Sequence, residues 1–193
     1  LLTGKVIANK PSVTDNGETC VFVGKDKKIY EINVNPAVLP DLKVLNDLPI
    51  WGNVAISKDG KRFAAVTFDA DTSIYVYDIA MDQLTRFKLY NPTFTGVKSV
   101  GPVYADALEW SYNGESILYD CFNRIKNSSG TNIEYWDINT INVWDNSKNT
   151  FATGEIFKLF NNLDEGDNLG NPVYSKNSPN IIAFDFVNEV TGN

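Results

Sequence analysis

The sequence predicts an all-β chain assembled from repeated four-stranded antiparallel units. A short pattern recurs four times, and strand-length apolar runs follow each copy at similar spacing. No segment carries sustained helical periodicity with caps. The pattern is a hydroxyl residue, a turn built on Asp or Asn, then an apolar strand. Its copies are Val13-Thr14-Asp15-Asn16-Gly17-Glu18-Thr19-Cys20-Val21-Phe22, Ile56-Ser57-Lys58-Asp59-Gly60-Lys61-Arg62-Phe63-Ala64-Ala65-Val66, Trp110-Ser111-Tyr112-Asn113-Gly114-Glu115-Ser116-Ile117-Leu118-Tyr119 and, more weakly, Tyr174-Ser175-Lys176-Asn177-Ser178-Pro179-Asn180-Ile181-Ile182-Ala183-Phe184.

The second copy shows the unit most clearly. Val54 to Ser57 reads as a short strand, Lys58 to Lys61 as the turn and Arg62 to Thr67 as the next strand. Asp-Gly suits a tight hairpin, because glycine accepts positive φ freely and Asp tolerates it. After a loop from Phe68 to Ser73, Ile74-Tyr75-Val76-Tyr77-Asp78 is aromatic and β-branched as strands are. Leu84 to Leu89 alternates apolar with polar residues and reads as a solvent-edge strand. The third strand recurs as Ile29-Tyr30-Glu31-Ile32-Asn33 and as Ile141-Asn142-Val143-Trp144-Asp145. Each ends in Asp or Asn, which suits an Asx turn into the fourth strand.

The turn residues Asn16, Asp59, Asn113 and Asn177 are separated by 43, 54 and 64 positions. Four-stranded units at a period of roughly 40–50 residues, lengthened by loops, are the signature of β-propeller blades. The expected blades are approximately 10–49, 50–100, 101–165 and an incomplete 166–193, about three and a half blades in a single domain. Ser57 to Ala64 and Trp110 to Ile117 resemble the W-S-x-D-G-x-x-I/L core of the WD40-like repeat, found in TolB-type propellers and in the propellers of prolyl-oligopeptidase-type serine peptidases. The resemblance covers most of residues 10–187 and implies fold more than function. True eukaryotic WD40 repeats are less similar: Trp144-Asp145 imitates their dipeptide, but their opening Gly-His has no counterpart. Three and a half blades leave a ring open, and an open sheet edge is an aggregation hazard. The chain therefore reads as a fragment of a larger propeller, closed by the remaining blades of a parent chain or by a second copy, with Leu2 to Ala8 as the outer strand of a preceding blade.

Composition narrows the chemistry. The 193 residues are 43% hydrophobic with net charge −7. Scattered lysines on an acidic chain argue against nucleic acid, which demands a clustered basic face. No apolar run approaches the roughly 20 residues of a membrane span. Cys20 and Cys121 occupy different places in their repeats and read as unpaired structural thiols. Histidine is absent altogether. That removes the commonest general base, the Ser-His-Asp and Cys-His pairs and any His-ligated metal. No phosphate-cradling glycine loop or G-x-S-x-G elbow appears.

The third repeat departs most from the others, with 27 positions from Gly114 to Ile141 against 14 from Gly60 to Ile74. Its extra segment, Phe122 to Asp137, reads as a protruding hairpin on which Arg124, Lys126, Tyr135 and Trp136 are the candidate partner-binding residues, since aromatics and Arg dominate interface hot spots. Packing against a neighbouring blade is the competing reading for Trp136. Asn127-Ser128-Ser129 is formally a glycosylation sequon. In the acidic loop Asn161 to Asn168, Asp164, Glu165 and Asp167 are the candidate calcium ligands, although the spacing does not fit an EF-hand and a solvated connection competes. Trp110, Trp144, Tyr75 and Tyr77 read as core, and Trp51 as packing between blades.

These features point to a non-catalytic propeller scaffold that binds a protein or carbohydrate partner. The TolB-type resemblance implies a bacterial envelope location, periplasmic or otherwise extracytoplasmic. The alternative is the gating propeller of a prolyl-oligopeptidase-type peptidase whose catalytic domain lies outside this chain. A lyase or glycosidase using the propeller itself departs further, because many propeller lyases place histidines at a metal.

Overall fold

A computed structural model of the chain describes residues 4–35, 37, 41–92, 98–126, 129–160, 163–164, 166–175 and 178–189. Among these there is no helix. The first sheet pairs β1 (Ser12–Val13), β2 (Thr19–Val23), β3 (Ile29–Asn33) and β4 (Leu42–Asn46) in that order. The second pairs β5 (Trp51–Ile56), β6 (Arg62–Thr67), β7 (Ser73–Asp78) and β8 (Gln83–Lys88). A small hairpin of β9 (Asn91–Pro92) and β10 (Lys98–Ser99) leads to the third sheet. That sheet holds β11 (Pro102–Trp110), β12 (Ser116–Lys126), β13 (Asn132–Asn142) and β16 (Ile156–Lys158). A second small hairpin, β14 (Trp144–Asp145) with β15 (Thr150–Phe151), is inserted before β16. The fourth sheet is a ribbon of β17 (Asp167–Ser175) and β18 (Ser178–Asn188). All described pairings between these strands are antiparallel.

The recurring sequence pattern is a hydrogen-bonded turn. In the second sheet the Ser57 hydroxyl donates to Asp59 Oδ1 at 2.7 Å and accepts from the Arg62 amide at 3.0 Å. Asp59 Oδ1 also accepts from the Lys61 amide, and the Gly60 amide donates to the Ser57 carbonyl. Thr14 with Asn16 and Ser111 with Asn113 repeat these bonds. Only the glycines, Gly17, Gly60 and Gly114, take positive φ, at 71°, 75° and 68°. The connection thus spans the four residues Lys58 to Lys61, as expected, and the Asx side chain closes it, with positive φ needed at the glycine and not at Asp59. The fourth copy falls partly on Lys176 and Asn177, outside the described residues.

The sheets stack face to face, and alternation along the second strands explains why these strands are apolar on both sides. Val21 and Val23 of the first sheet meet Trp51, Val54, Phe63 and Ala65 of the second. Ala64 and Val66 point the other way, into a larger core with Trp110, Ile117, Tyr119 and Cys121 of the third. Leu118 and Ile138 turn to the fourth sheet and pack on Leu169, with Tyr174, Ile182 and Phe184 beside them. Full burial of one such side chain stabilises by roughly 1.5–3 kcal/mol, against about 1 kcal/mol for a net hydrogen bond, so packing outweighs the turns. Trp51, Trp110 and Trp144 are buried as expected, whereas Tyr75 and Tyr77 are half-buried at the edge of the core. Cys20 and Cys121 are buried free thiols on different sheets.

Two expectations are corrected. The third strand of the third sheet is β13, so Ile138 to Asn142 takes the place of Ile74 to Asp78. Ser116 pairs with Asn142 as Arg62 pairs with Asp78. The Ile141–Asp145 assignment is out of register by three residues, because Trp144-Asp145 repeats the apolar-acidic ending inside the inserted hairpin. The described part of the segment Leu2 to Ala8 pairs with the first sheet: Ile7 bridges Gly24, and the Ala8 amide donates to the Val23 carbonyl. It thus continues β1 along the inner side of β2, in the place of an inner strand.

Candidate binding site

The first strands of the four sheets lie side by side and wall a cleft of about 500 Å³. Asn9 to Val13 contribute one wall, Asn53, Val54 and Lys58 the next, Asp106 to Glu109 the third and Asn171 to Tyr174 the last. Each junction is stitched by a side chain. The Ser12 hydroxyl accepts from the Ile56 amide at 3.1 Å. Asn53 Nδ2 donates to the Asp106 carbonyl at 3.0 Å, and the Lys58 ammonium pairs with Glu109 at 3.3 Å. The other Glu109 oxygen accepts from the Tyr174 amide at 3.1 Å.

Asp120 anchors the third and fourth walls from behind. It stands where Val23 and Val66 stand in the first two sheets, as the pairing registers of the second and third strands show. Its Oδ1 accepts from the amides of Asp106 and Ala107, and its Oδ2 accepts from the Asn171 amide at 2.9 Å. These amides belong to register irregularities in β11 and β17, where strand pairing lapses and a side chain must supply the acceptor. Burial pushes the Asp120 carboxyl above its ordinary range, and the three amide donors only partly offset that. Burial also raises Tyr174, with the Glu109 charge adding to the shift.

The long β12–β13 hairpin carries the sequence-predicted contact residues, and it divides them. Arg124 pairs across the hairpin with Glu134, and Lys126 with Asn132, so Arg124, Lys126 and Trp136 share one face. Arg124 and Lys126 are exposed, and Arg124 forms an ion pair with Glu134 at 2.6 Å. Trp136 is half-buried against Tyr104 and Phe122, with ring centroids 5.4 Å from each. Tyr135 lies on the opposite face. Its hydroxyl accepts from Asn91 at 2.8 Å and sits 3.5 Å from the Lys158 ammonium. The four residues therefore do not form one surface, because alternate strand residues point to opposite sides.

Behind Tyr135 lies a buried polar network. Asp137 accepts from Asn123 and Asn139 and pairs with Lys158 at 2.8 Å. Burial works against the Lys158 charge, but Asp137 overrides it and holds the ammonium's pKa above its usual value. Cys121, opposite Asp137 on the neighbouring strand, is buried, and burial pushes its thiol well up.

At the acidic loop, Asp167 Oδ2 accepts from the Asp164 amide and closes a turn, while Oδ1 accepts from Asn188 across the β17–β18 ribbon. Glu165 lies outside the described residues, as do Asn127 and Ser128 of the sequon. Among the described residues, no three potential ligands gather as a metal site. Sequence reasoning missed the axial cleft, although a signal existed: Lys10, Asn53, Asp106 and Asn171 lie four or five positions ahead of the turn hydroxyl in each repeat.

No family model and no curated protein matches the chain. Among solved structures it is similar to an oligogalacturonate lyase from Vibrio parahaemolyticus, at 11% identity and TM-score 0.53, over 88% of this chain and 43% of that one. It is also similar to the Cps50 (Swd1) β-propeller domain of Myceliophteria thermophila, at 17% identity and TM-score 0.41, over 66% of this chain and 37% of that one. A putative TolB from Agrobacterium tumefaciens aligns at 12% identity and TM-score 0.41, over 99% of this chain and 80% of that one. The chain thus spans less than half the length of the first two. At these identities the likeness concerns the fold, and the fold is that of a partial β-propeller. Among the described residues no helix is long and apolar enough to cross a membrane.

Proposed function

We propose that the chain is a non-catalytic propeller module that binds a protein or carbohydrate partner in its axial cleft, in the bacterial envelope. One observation carries the reading: the first strands of all four sheets converge on a cleft of mixed polar and apolar lining, where Glu109, with Asp120 behind the wall, already serves as a strand connector. Both Glu109 oxygens and both Asp120 oxygens accept from protein donors. Those groups shape a recognition surface, while Asp106 stays exposed to meet a ligand. The envelope location rests on the TolB-type sequence resemblance. Arg124, Lys126 and the open part of Trp136 form a second contact surface on the hairpin.

The test is an array carrying both defined oligosaccharides and synthetic peptides, probed with the purified chain and with Asp106→Ala. Retention by the wild type that the variant loses, with no turnover of the ligand, supports the module and its cleft. Retention indifferent to Asp106→Ala overturns the cleft, and conversion of a bound ligand overturns the non-catalytic reading.

A further inference from the structure

In each of the first three sheets the second strand is paired on both sides: β2 lies between β1 and β3, β6 between β5 and β7, and β12 between β11 and β13. β18 is the second strand of the fourth sheet, and among the described residues it pairs with β17 alone. The Glu189 amide donates inward to the Gly166 carbonyl, so strand alternation turns the amides of Phe184 and Phe186 to the open side. Ile181, Phe186 and Val187 on the same strand are exposed. A bare edge carrying exposed apolar side chains is a template for another strand.

The sequence of β18 selects that strand. The third strands β3 and β13 end in Ile29-Tyr30-Glu31-Ile32-Asn33 and Ile138-Asn139-Thr140-Ile141-Asn142. β18 ends on the same pattern, Phe184-Asp185-Phe186-Val187-Asn188. In the first and third sheets the closing Asn stands opposite the fifth residue after the turn hydroxyl, Asn33 opposite Thr19 and Asn142 opposite Ser116. In the fourth copy the fifth residue after Ser175 is Asn180. A second β18 running antiparallel with its Asn188 opposite Asn180 therefore supplies a third strand, and the exchange is reciprocal about Phe184. Ile181 then meets Val187 and Ile182 meets Phe186, each pair on one face of the sheet. Asp185, the single charge on the strand, meets Ala183. Centring the pair on Ala183 instead sets Ile181 against Asp185, and centring it on Asp185 sets two like charges opposite each other. With Phe184 at the centre, the ribbon becomes a four-stranded antiparallel sheet, as in the other three units.

We infer that two copies of this chain associate edge to edge through β18, in the register centred on Phe184. The experiment is sedimentation velocity over a concentration series, on the whole chain and on Ala183→Lys and Ala183→Asp. Ala183 is exposed and on the face away from Ile182 and Phe184, so neither charge enters the core. The wild type is expected to pass from monomer to dimer as concentration rises. Ala183→Asp sets like charges opposite each other twice per dimer and is expected to weaken association by roughly tenfold. Ala183→Lys sets a cation opposite Asp185 of the second copy and is expected to dimerise at least as tightly as wild type. While the chain is monomeric the edge stays bare, so exchange at the Phe184 and Phe186 amides is expected to slow only as the dimer forms. A chain that stays monomeric throughout overturns the inference and leaves the axial-cleft reading standing. A dimer indifferent to both substitutions overturns the β18 interface, and one weakened equally by both overturns the register.

Discussion

Asp120 is the residue where local chemistry and architecture meet most directly. It occupies a strand position that is valine in the first two sheets, and it holds the irregular stretches of β11 and β17 through three backbone amides. Its pKa is raised because burial penalises the charge more than those amides favour it. The consequence for stability follows from linkage. The unfolded carboxyl ionises near its ordinary value of about 3.9, before the folded one does. Asp120's contribution is therefore fully present below that pH and declines as pH rises through the raised folded value. Asp120→Asn imitates the protonated form and lacks this decline. The wild type is expected to match Asp120→Asn near pH 3 and to fall progressively below it in thermal midpoint toward neutrality. A wild type that instead gains on the variant as pH rises shows that the amide bonds dominate and the folded pKa is depressed.

At the scale of the element, the β12–β13 hairpin shows what spacing reveals and what it conceals. Twenty-seven positions where 14 suffice announced an insertion, and polar turn residues between strand-like ends announced its shape. Which side chains share a face depends on register, and the repeated Ile-x-x-x-Asp/Asn ending fits two registers, at Ile138 to Asn142 and at Ile141 to Asp145. Only pairing with Ser116 and Ile117 decides between them. The Asp137–Lys158 pair was invisible for a related reason, since Lys158 arrives from β16, after the inserted β14–β15 hairpin. Asp137 is 1% exposed, and removing its cation leaves a buried charge with two amide donors. Lys158→Ala is therefore expected to destabilise by about 3 kcal/mol in urea unfolding, at the lower end for broken buried pairs because Lys158 keeps some solvent contact. With Asp137→Leu added, the loss should be smaller. The Lys158 ammonium is held above its usual pKa, so the pair's contribution persists below about pH 10.4 and is lost as pH rises through the folded value. A Lys158→Ala penalty that survives unchanged above that range contradicts the assigned pairing.

Across the whole molecule, stacking one sheet on the next makes stability a matter of neighbours. Fold class was legible because the turn is chemically strict: a hydroxyl, an Asx and a glycine at positive φ leave little choice at Ser57, Asp59 and Gly60. The cleft left only a faint trace, the recurrence of Lys10, Asn53, Asp106 and Asn171 ahead of the turn hydroxyl, because its walls come from four segments separated by whole repeats and only stacking brings them around one opening. The same stacking sets a gradient of local stability. The second and third sheets are packed on both faces, and Ala64, Ala65, Ile117 and Leu118 have no appreciable exposure. The fourth sheet packs through one face onto Leu118 and Ile138, while Ile181 and Val187 remain 59% and 49% exposed. In a repeat architecture each unit draws its stability from its interfaces, so a sheet buried on one face opens at lower free energy than one buried on two. Hydrogen exchange followed by mass spectrometry is expected to show β18 exchanging first, β6 and β12 last, and β17 between them, since Asp120 pins it at Asn171. A ligand held in the axial cleft against Asn171 to Tyr174 should slow exchange in β17 and β18 more than in β6, because it adds contacts where the fold has fewest. Uniform protection across the four sheets removes the gradient and shows that the molecule opens as one cooperative unit.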